Sequence, residues 1–336
     1  MVGFVRRTRQ DIERLEAESL APAATLAVDT VGRAVPEDPD PYRTAFGRDR
    51  DRILHTKAFR RLKHKTQVFM NPEGDHYVTR MTHTLQVNQI GRAIARALGL
   101  NEDLTEAICL AHDVGHSPFG HTGEDALSDY VDGEWLHSAQ GVRIFEVLEP
   151  VNLTWEVLDG IRAHSWKIPE VPATPEGWIC RFADRIAYLA ADVEDAMRAD
   201  VIDRSDLPAS SIATFGEPGE QWIATMISAV VDESLDAGAV TMEPEMLAVM
   251  NDLRSFMFER VYLRPETEDQ RRRVIGIVHD LVDYFVAHPA EIPESYRHDD
   301  ADTLTQVMDY VAGMTDRFAI RTHEALFPRS CVHCGR

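Results

Sequence analysis

Residues 107–124 read AICLAHDVGHSPFGHTGE. The apolar run AICLA ends at His112 and Asp113. Adjacent residues on a helix lie about 100° apart, so these two side chains can converge on one point beside an apolar face. His116 follows four residues after His112 and is expected on the same face. Gly115, Pro118, Gly120 and Gly123 then stop the helix, and the loop they open is expected to end in His121 and Glu124. Imidazole next to carboxylate at the mouth of a buried helix is a metal-ligand arrangement. One histidine here would read as a surface residue near a helix end. Three of them, beside an Asp and a Glu, argue for a site.

Helical patterning surrounds this stretch. Upstream, Asn101 is expected to cap the helix EDLTEAICLAHD, and Thr82 to cap a helix with apolar Leu85, Ile90, Ala93, Ile94, Ala97 and Leu98. That places His83 in a first turn, with Arg80 three residues before it. Downstream, SAQGVRIFEVL reads as a helix with His137 at its start, and NLTWEVLDGIRAHS as another ending near His164. After the Pro-rich KIPEVPATPEG comes a long helix, WICRFADRIAYLAADVEDAMRAD, apolar at Ile179, Phe182, Ile186, Leu189, Ala190 and Val193. Asp184, Tyr188 and Asp192 recur along it at four-residue spacing and form one polar stripe. Such a stripe is costly to bury without partners. It is either satisfied by a metal or polar ligand, or it is an exposed face, as Arg185, Asp195 and Arg198 suggest for part of this helix. Residues 203–242 read as loop-rich with one helix, and further helices are expected over 246–262, 270–287 and 303–321. Two-residue alternation is almost absent, so the fold class is all-α. The expected organisation is an N-terminal extension, partly loop, over 1–43, a catalytic core over 44–200, a helical C-terminal part packed on it over 201–325, and a tail over 326–336.

The chain has 336 residues, 44% of them hydrophobic, enough for a sizeable core. Its 35 basic and 56 acidic residues give a net charge of −21. That balance argues against sequence-independent binding of nucleic acid or of an anionic membrane. A phosphate compound would need a local basic pocket. One candidate is the run TAFGRDRDRILHTKAFRRLKHKTQVF at residues 44–69, which is either a solvated helix face or a phosphate-facing cluster. No apolar stretch reaches transmembrane length, and the first residues, MVGFVRRTRQ, lack the apolar core of a signal peptide. Cys109 and Cys180 lie in apolar helical contexts as buried thiols. These features point to a soluble protein of a reducing cytoplasm. In the tail, Cys331, His333 and Cys334 supply fewer than four zinc ligands.

His83, His112, Asp113 and Asp184 come from three helices of a bundle, which can aim such residues into one central site. Two imidazoles and two carboxylates suit Mn²⁺, Fe, Co, Ni or Zn, and Mg²⁺ less well. A water on such an ion becomes ionisable near neutral pH. Arg80, Lys63, Lys65 and Arg185 are cations available to offset charge on phosphoryl oxygens. His121 hydrogen-bonded to Glu124 would be a proton-transfer dyad.

His83, His112–Asp113 and Asp184 together resemble the H…HD…D pattern of the HD-domain metal phosphohydrolases. Within that superfamily the chain resembles the deoxyguanosine triphosphate triphosphohydrolase family. The resemblance lies in RDRDRILHTKAFRRLKHKTQVF, TRMTHTLQVNQIGRAIARALGLNEDLTEAI, HDVGHSPFGHTGE, ADRIAYLAADVEDA, LRSFMFERVY and DYVAGMTDRFAI, spread across most of residues 44–321. It implies an HD-domain helical bundle with additional C-terminal helices. It also implies divalent-metal-dependent cleavage of a deoxynucleoside triphosphate into deoxynucleoside and inorganic triphosphate. By the same resemblance, His83, His112, Asp113 and Asp184 hold the metal, and His121 with Glu124 forms the catalytic pair. His116 and His137 are further active-site histidines, and Arg80 and Arg185 contact phosphates. Tyr188 and Asp192 recognise the sugar, while Gln67 and Val68 close around it and disfavour a 2′-hydroxyl. The family commonly forms homo-oligomers. The chain is short for the family, which implies use of several deoxynucleotides and activation by a nucleotide at an allosteric site. The alternatives are another HD chemistry, a 5′-nucleotidase or a phosphodiesterase, and a nucleotide-sensing module without turnover.

Overall fold

The computed structural model describes residues 3–67, 78–264 and 267–328. Val68, the NPEGD turn and the cysteine tail lie outside them. The described residues form fifteen α-helices and no strand. In chain order these are α1 Arg9–Ser19, α2 Ala45–His55, α3 Lys57–Arg61, α4 Arg80–Leu98, α5 Glu102–Ala111, α6 His121–Ser128, α7 His137–Arg143, α8 Trp155–Ala163, α9 Pro175–Arg198, α10 Ala209–Phe215, α11 Glu220–Ala237, α12 Pro244–Met257, α13 Glu268–Ala287, α14 Thr303–Ala312 and α15 Asp316–Leu326. The protein is an all-α HD-type bundle with added C-terminal helices.

The centre is the packing of α4, α5 and α9, with α2, α8 and α11 against them. The facing side chains, Val87, Ile90 and Ile94 of α4, Leu104 and Ile108 of α5 and Ile179, Ile186 and Val193 of α9, are fully buried. Each contributes about 1.5–3 kcal/mol by leaving water. This first core extends through residues 202–261. A second apolar cluster joins α13, α14 and α15 to Phe119 and to Ala126 and Leu127 of α6.

Several local expectations are corrected. The cap of α4 is Thr79, and Thr82 is its capping-box partner. The expected helix at 303–321 is two helices, α14 and α15, because Thr315 caps a new start at Phe318 N. Residues 203–242 hold two helices, α10 and α11. Three arginines of the basic run, Arg48, Arg50 and Arg52, are matched with acids. Arg50 pairs with Asp51, Asp103 and Glu106, Arg52 with Glu37, and Arg48 with Glu37 and the Asp38 carbonyl. Arg61 donates to the Tyr296 hydroxyl, and Lys63 is exposed. The ammonium of Lys65 is buried and donates to the carbonyls of His116 and Ala312, so α14 is tied to the turn that follows α5.

Asp316 makes a second tie. Its Oδ1 accepts from Phe119 N and its Oδ2 from Thr66 N, both at 2.9 Å. Phe119 has φ 64°, a region bulky residues avoid, so its backbone needs holding. Asp316→Ala strands two backbone donors, and the expected loss is about 2–5 kcal/mol, read by urea unfolding. A loss under about 0.5 kcal/mol would show that the tie is dispensable.

Candidate metal centre and proton-transfer cluster

α5 ends at Ala111, and His112 is its C-cap. The Nδ1 of His112 lies 2.7 Å from the backbone oxygen of Cys109. A carbonyl only accepts, so Nδ1 carries the hydrogen and Nε2 presents a lone pair. That Nε2 is buried without a hydrogen-bond partner. It faces Asp113 Oδ1 at 3.4 Å and Asp184 Oδ1 at 3.8 Å. His83, in the first turn of α4, brings Nε2 to 3.0 Å from Asp184 Oδ1 and 3.9 Å from Asp113 Oδ2. One donor atom from each of His83, His112 and Asp184 lies within 4.8 Å of the others. A bare lone pair facing two carboxylates is unfavourable unless a cation stands among them. The donor set therefore fits a divalent ion. Arg80 is buried and donates Nη1 to Asp113 Oδ2 at 2.9 Å, fixing that carboxylate. Despite burial, His112, His116 and Arg80 hold Asp113 well below the usual carboxylate range.

His116 does not share a helical face with His112. The chain leaves α5 in a turn, with His116 N bonded to Asp113 O, and Gly115 packs so closely that a Cβ would sit 2.0 Å from the His137 carbonyl. Likewise His121 and Glu124 do not close a loop. The loop ends at Gly120, and both residues occupy the first turn of α6.

Glu124 is the hub of a second cluster. Its Oε1 lies 3.1 Å from His137 Nδ1 and in ion-pair contact with His116 Nδ1, and its Oε2 lies 3.5 Å from His121 Nδ1. The His116 and His137 rings stack at 3.7 Å. His116 Nε2 reaches Asp113 Oδ1 at 3.0 Å, which joins the cluster to the metal-fitting centre. Burial would raise the Glu124 carboxyl, but His116 and His137 hold it well below its usual range. Burial, with Arg80 beside it, pushes His116 down to about 4. His121 is the exposed member, with 57% of its side chain accessible.

His164 belongs to this cluster and was not singled out from sequence. Its Nδ1 is fixed on the Ile161 carbonyl at 2.7 Å and its Nε2 lies 3.0 Å from His137 Nε2. Its ring centroid is 5.1 Å from that of His112. The available signal was a repeated pattern, Ala followed by His at a helix C-terminus, in LAHD and again in RAHS.

The α9 stripe faces inward. Asp192 is buried, as are the supposedly solvated Arg185 and Asp195, while Arg198 is partly exposed. Asp192 Oδ2 accepts from the Tyr262 hydroxyl at 2.6 Å, a partner sequence reasoning missed. Tyr188 is largely buried beside Arg185 and Arg254. Arg185 donates to Asn251 Oδ1 at 2.9 Å. Gln67 is half-buried, and its Oε1 has no partner. Its backbone oxygen lies 3.6 Å from where a Cβ on Gly120 would stand.

Burial pushes the Asp192 carboxyl up to about 7, against the stabilising Tyr262 hydrogen bond. The ordinary unfolded value is about 3.9. Between these values the native state binds more protons than the unfolded chain, so this group lowers stability as pH rises through that window. Asp192→Asn is expected to match wild type in stability near pH 4 and to exceed it by roughly 2–4 kcal/mol above pH 7. Denaturant melts at both pH values check this, and equal stability at pH 8 would contradict it.

Residues 80–189 match the HD domain, and residues 240–325 match the phosphohydrolase-associated domain. Fold, site and these matches define a hydrolase of the HD-domain class. Three deoxyguanosinetriphosphate triphosphohydrolase-like proteins are similar along nearly their whole length. The protein of Caldanaerobacter subterraneus subsp. tengcongensis is 44% identical, covering 96% of this chain and 96% of its own. That of Desulfatibacillum aliphaticivorans is 42% identical over 95% and 97%, and that of Clostridium perfringens 40% over 96% and 98%. The chain belongs to the family of deoxyguanosinetriphosphate triphosphohydrolase-like proteins.

Proposed function

We propose that the protein hydrolyses deoxynucleoside triphosphates, dGTP and others, to the deoxynucleoside and inorganic triphosphate. The observation that carries this reading is the contact between His116 and Asp113, 3.0 Å apart, which sets a buried histidine–glutamate cluster directly against a metal-fitting centre. A module that only sensed nucleotides would need no such cluster.

His83, His112, Asp113 and Asp184 would hold the divalent ion, Mn, Mg, Co, Ni, Fe or Zn. When bound, the ion supplies a Lewis acid for phosphoryl oxygens and a water that ionises near neutral pH. Arg80 and Arg185 take the negative charge of the phosphate chain. Glu124 stays ionised and supports an imidazolium at the histidines it touches, so His116, His121 and His137 can take up a proton and release it. His121 carries that proton at the substrate-facing end, being the exposed member. Tyr188 and Asp192 bind the sugar; Asp192 Oδ2 is held by Tyr262, leaving Oδ1 to accept from the 3′-hydroxyl. Gln67 is placed to disfavour a 2′-hydroxyl, a role the family resemblance also gives to Val68.

The test is chromatography of the products from each deoxynucleoside triphosphate, alone and mixed, with Mn²⁺, Mg²⁺ or Co²⁺. Intact triphosphate is the expected product. Release of orthophosphate or of a monophosphate would assign a 5′-nucleotidase or phosphodiesterase instead, and no turnover in any mixture would assign a sensor. Faster turnover in mixtures is the expected sign of an allosteric nucleotide. Sedimentation with and without deoxynucleotide tests the accompanying proposal of a homo-oligomer.

A further inference from the structure

The buried Arg80 is matched with a carboxylate, Asp113, and so are the part-buried Arg33, with Asp49, and Arg143, with Asp309. Arg181 and Arg185, one turn apart on α9, break this pattern. Both are buried, at 3% and 7% exposure. Among the described residues neither forms an ion pair. Arg181 Nη2 donates to the Ser165 carbonyl at 3.0 Å and Arg185 Nη1 to the Asn251 amide oxygen, both neutral acceptors. Nε and Nη1 of Arg181 and Nε of Arg185 are buried with no hydrogen-bond partner. Aromatic faces hold the two guanidiniums in place. Arg181 lies 4.7 Å over Trp166 and 5.0 Å over Trp178, and Arg185 lies 4.2 Å over Trp166. The charge of Arg254 also bears on Arg185, against the attraction of Tyr188 and Asp184, while Arg181 has only the like charge of Arg185 beside it.

Cation–π contact and two neutral acceptors do not offset the desolvation of two like charges side by side. An anion with several acceptor oxygens would satisfy the orphaned donors and the charge together. The location says which anion. Arg185 directly follows Asp184. The Ser165 carbonyl that fixes Arg181 follows His164, whose ring stands 5.1 Å from that of His112. On α9 the sugar-binding candidates Tyr188 and Asp192 lie to the other side of Asp184. We propose that Arg181, acting with Arg185, forms the subsite for the distal phosphate of the substrate's triphosphate chain, so that the enzyme distinguishes triphosphate from shorter chains. This rests on the reading above and extends it to a residue that no family motif assigned.

The experiment is calorimetric titration of the protein, as isolated, with inorganic tripolyphosphate and with pyrophosphate. Wild type is expected to prefer tripolyphosphate by about tenfold or more, from charge-assisted hydrogen bonds at the terminal phosphate. Arg181→Met keeps the aliphatic stem between the two indoles and is expected to abolish the preference. It is also expected to raise KM for a deoxynucleoside triphosphate about 10–100-fold with a smaller change in kcat. Thermal melts report whether the variant folds. Should it not fold, Arg181→Lys decides, because a point charge without the planar fork should lose at least about threefold of the preference. A preference unchanged in the folded variant overturns the subsite, and if triphosphate is still released from deoxynucleotides the function proposed above stands. Preference dependent on Arg181 in a protein that turns over no deoxynucleotide retains a polyphosphate subsite and overturns that function.

Discussion

Replacing Glu124 with glutamine is expected to lower kcat for a deoxynucleoside triphosphate by about 10²–10⁴-fold, the range of a lost general acid–base system. The substitution is isosteric, and His116 stands between Glu124 and Asp113, so the metal content of the His83, His112, Asp113 and Asp184 set should not change. One carboxylate faces three imidazoles, His116, His121 and His137. An ionised carboxylate offsets a proton gained by any of them, and a neutral amide offsets none. The amide also turns one acceptor into a donor, which forces the rings to change tautomer. Their tautomers are coupled. With Nδ1 of His164 fixed on a carbonyl, its Nε2 accepts from His137 Nε2, so His137 can give a hydrogen from Nδ1 to Glu124 only as an imidazolium, the form an ionised carboxylate supports. Steady-state rates with elemental analysis of the same samples test this. A rate within about threefold of wild type would remove the cluster from the chemistry.

Asp184→Asn is the second large expectation. Outer-sphere partners of a metal ligand are typically worth 10–100-fold in affinity, and a ligating carboxylate should be worth more. Asp184 is within reach of both His83 and His112, so its charge holds the donor set together. The variant is expected to lose bound divalent ion on dialysis and, with it, measurable turnover. Without that ion the His83 imidazole has a neutral amide at its nearer contact and the Asp113 carboxylate 3.9 Å away. Metal at the wild-type stoichiometry after dialysis would exclude Asp184 as a ligand.

Helix periodicity carried most of the fold. The runs on α4, α5 and α9 are long enough for a 3.6-residue period to show; on α9 the apolar residues expected inside are buried, whereas on α4 only Ile90 and Ile94 of the expected face are, Leu85 and Ala97 being exposed. The residues proposed as ligands also come together, because each sits at or within a turn of a well-patterned helix. Placement in space is harder wherever the chain turns. His116 appeared to extend the helix of His112 because four-residue spacing carries no record of a break, and only Gly115 hinted at one. In the basic run, Asp51 beside Arg50 is visible locally, whereas Asp103 and Glu106 belong to a different helix, so their pairing with Arg50 lies outside a local window. His164 and Tyr262 are single polar residues in apolar surroundings, and only the fold reveals what they face.

α9 unites these features as a measuring stick. Arg181, Asp184, Arg185, Tyr188 and Asp192 all fall on one face of an unbroken helix. At about 1.5 Å per residue, roughly 16 Å separates the levels of Arg181 and Asp192 along the axis. Under the proposed roles, rigid spacing of this kind fixes the separation between a phosphate-reading end and a sugar-reading end. Inserting one residue between them would displace one end by about 1.5 Å and swing it by about 100°, off the face altogether. Changes in substrate preference during divergence would therefore arise in the segments laid across α9, those carrying Trp166, Asn251 and Tyr262, while the length of α9 between its two ends stays constant.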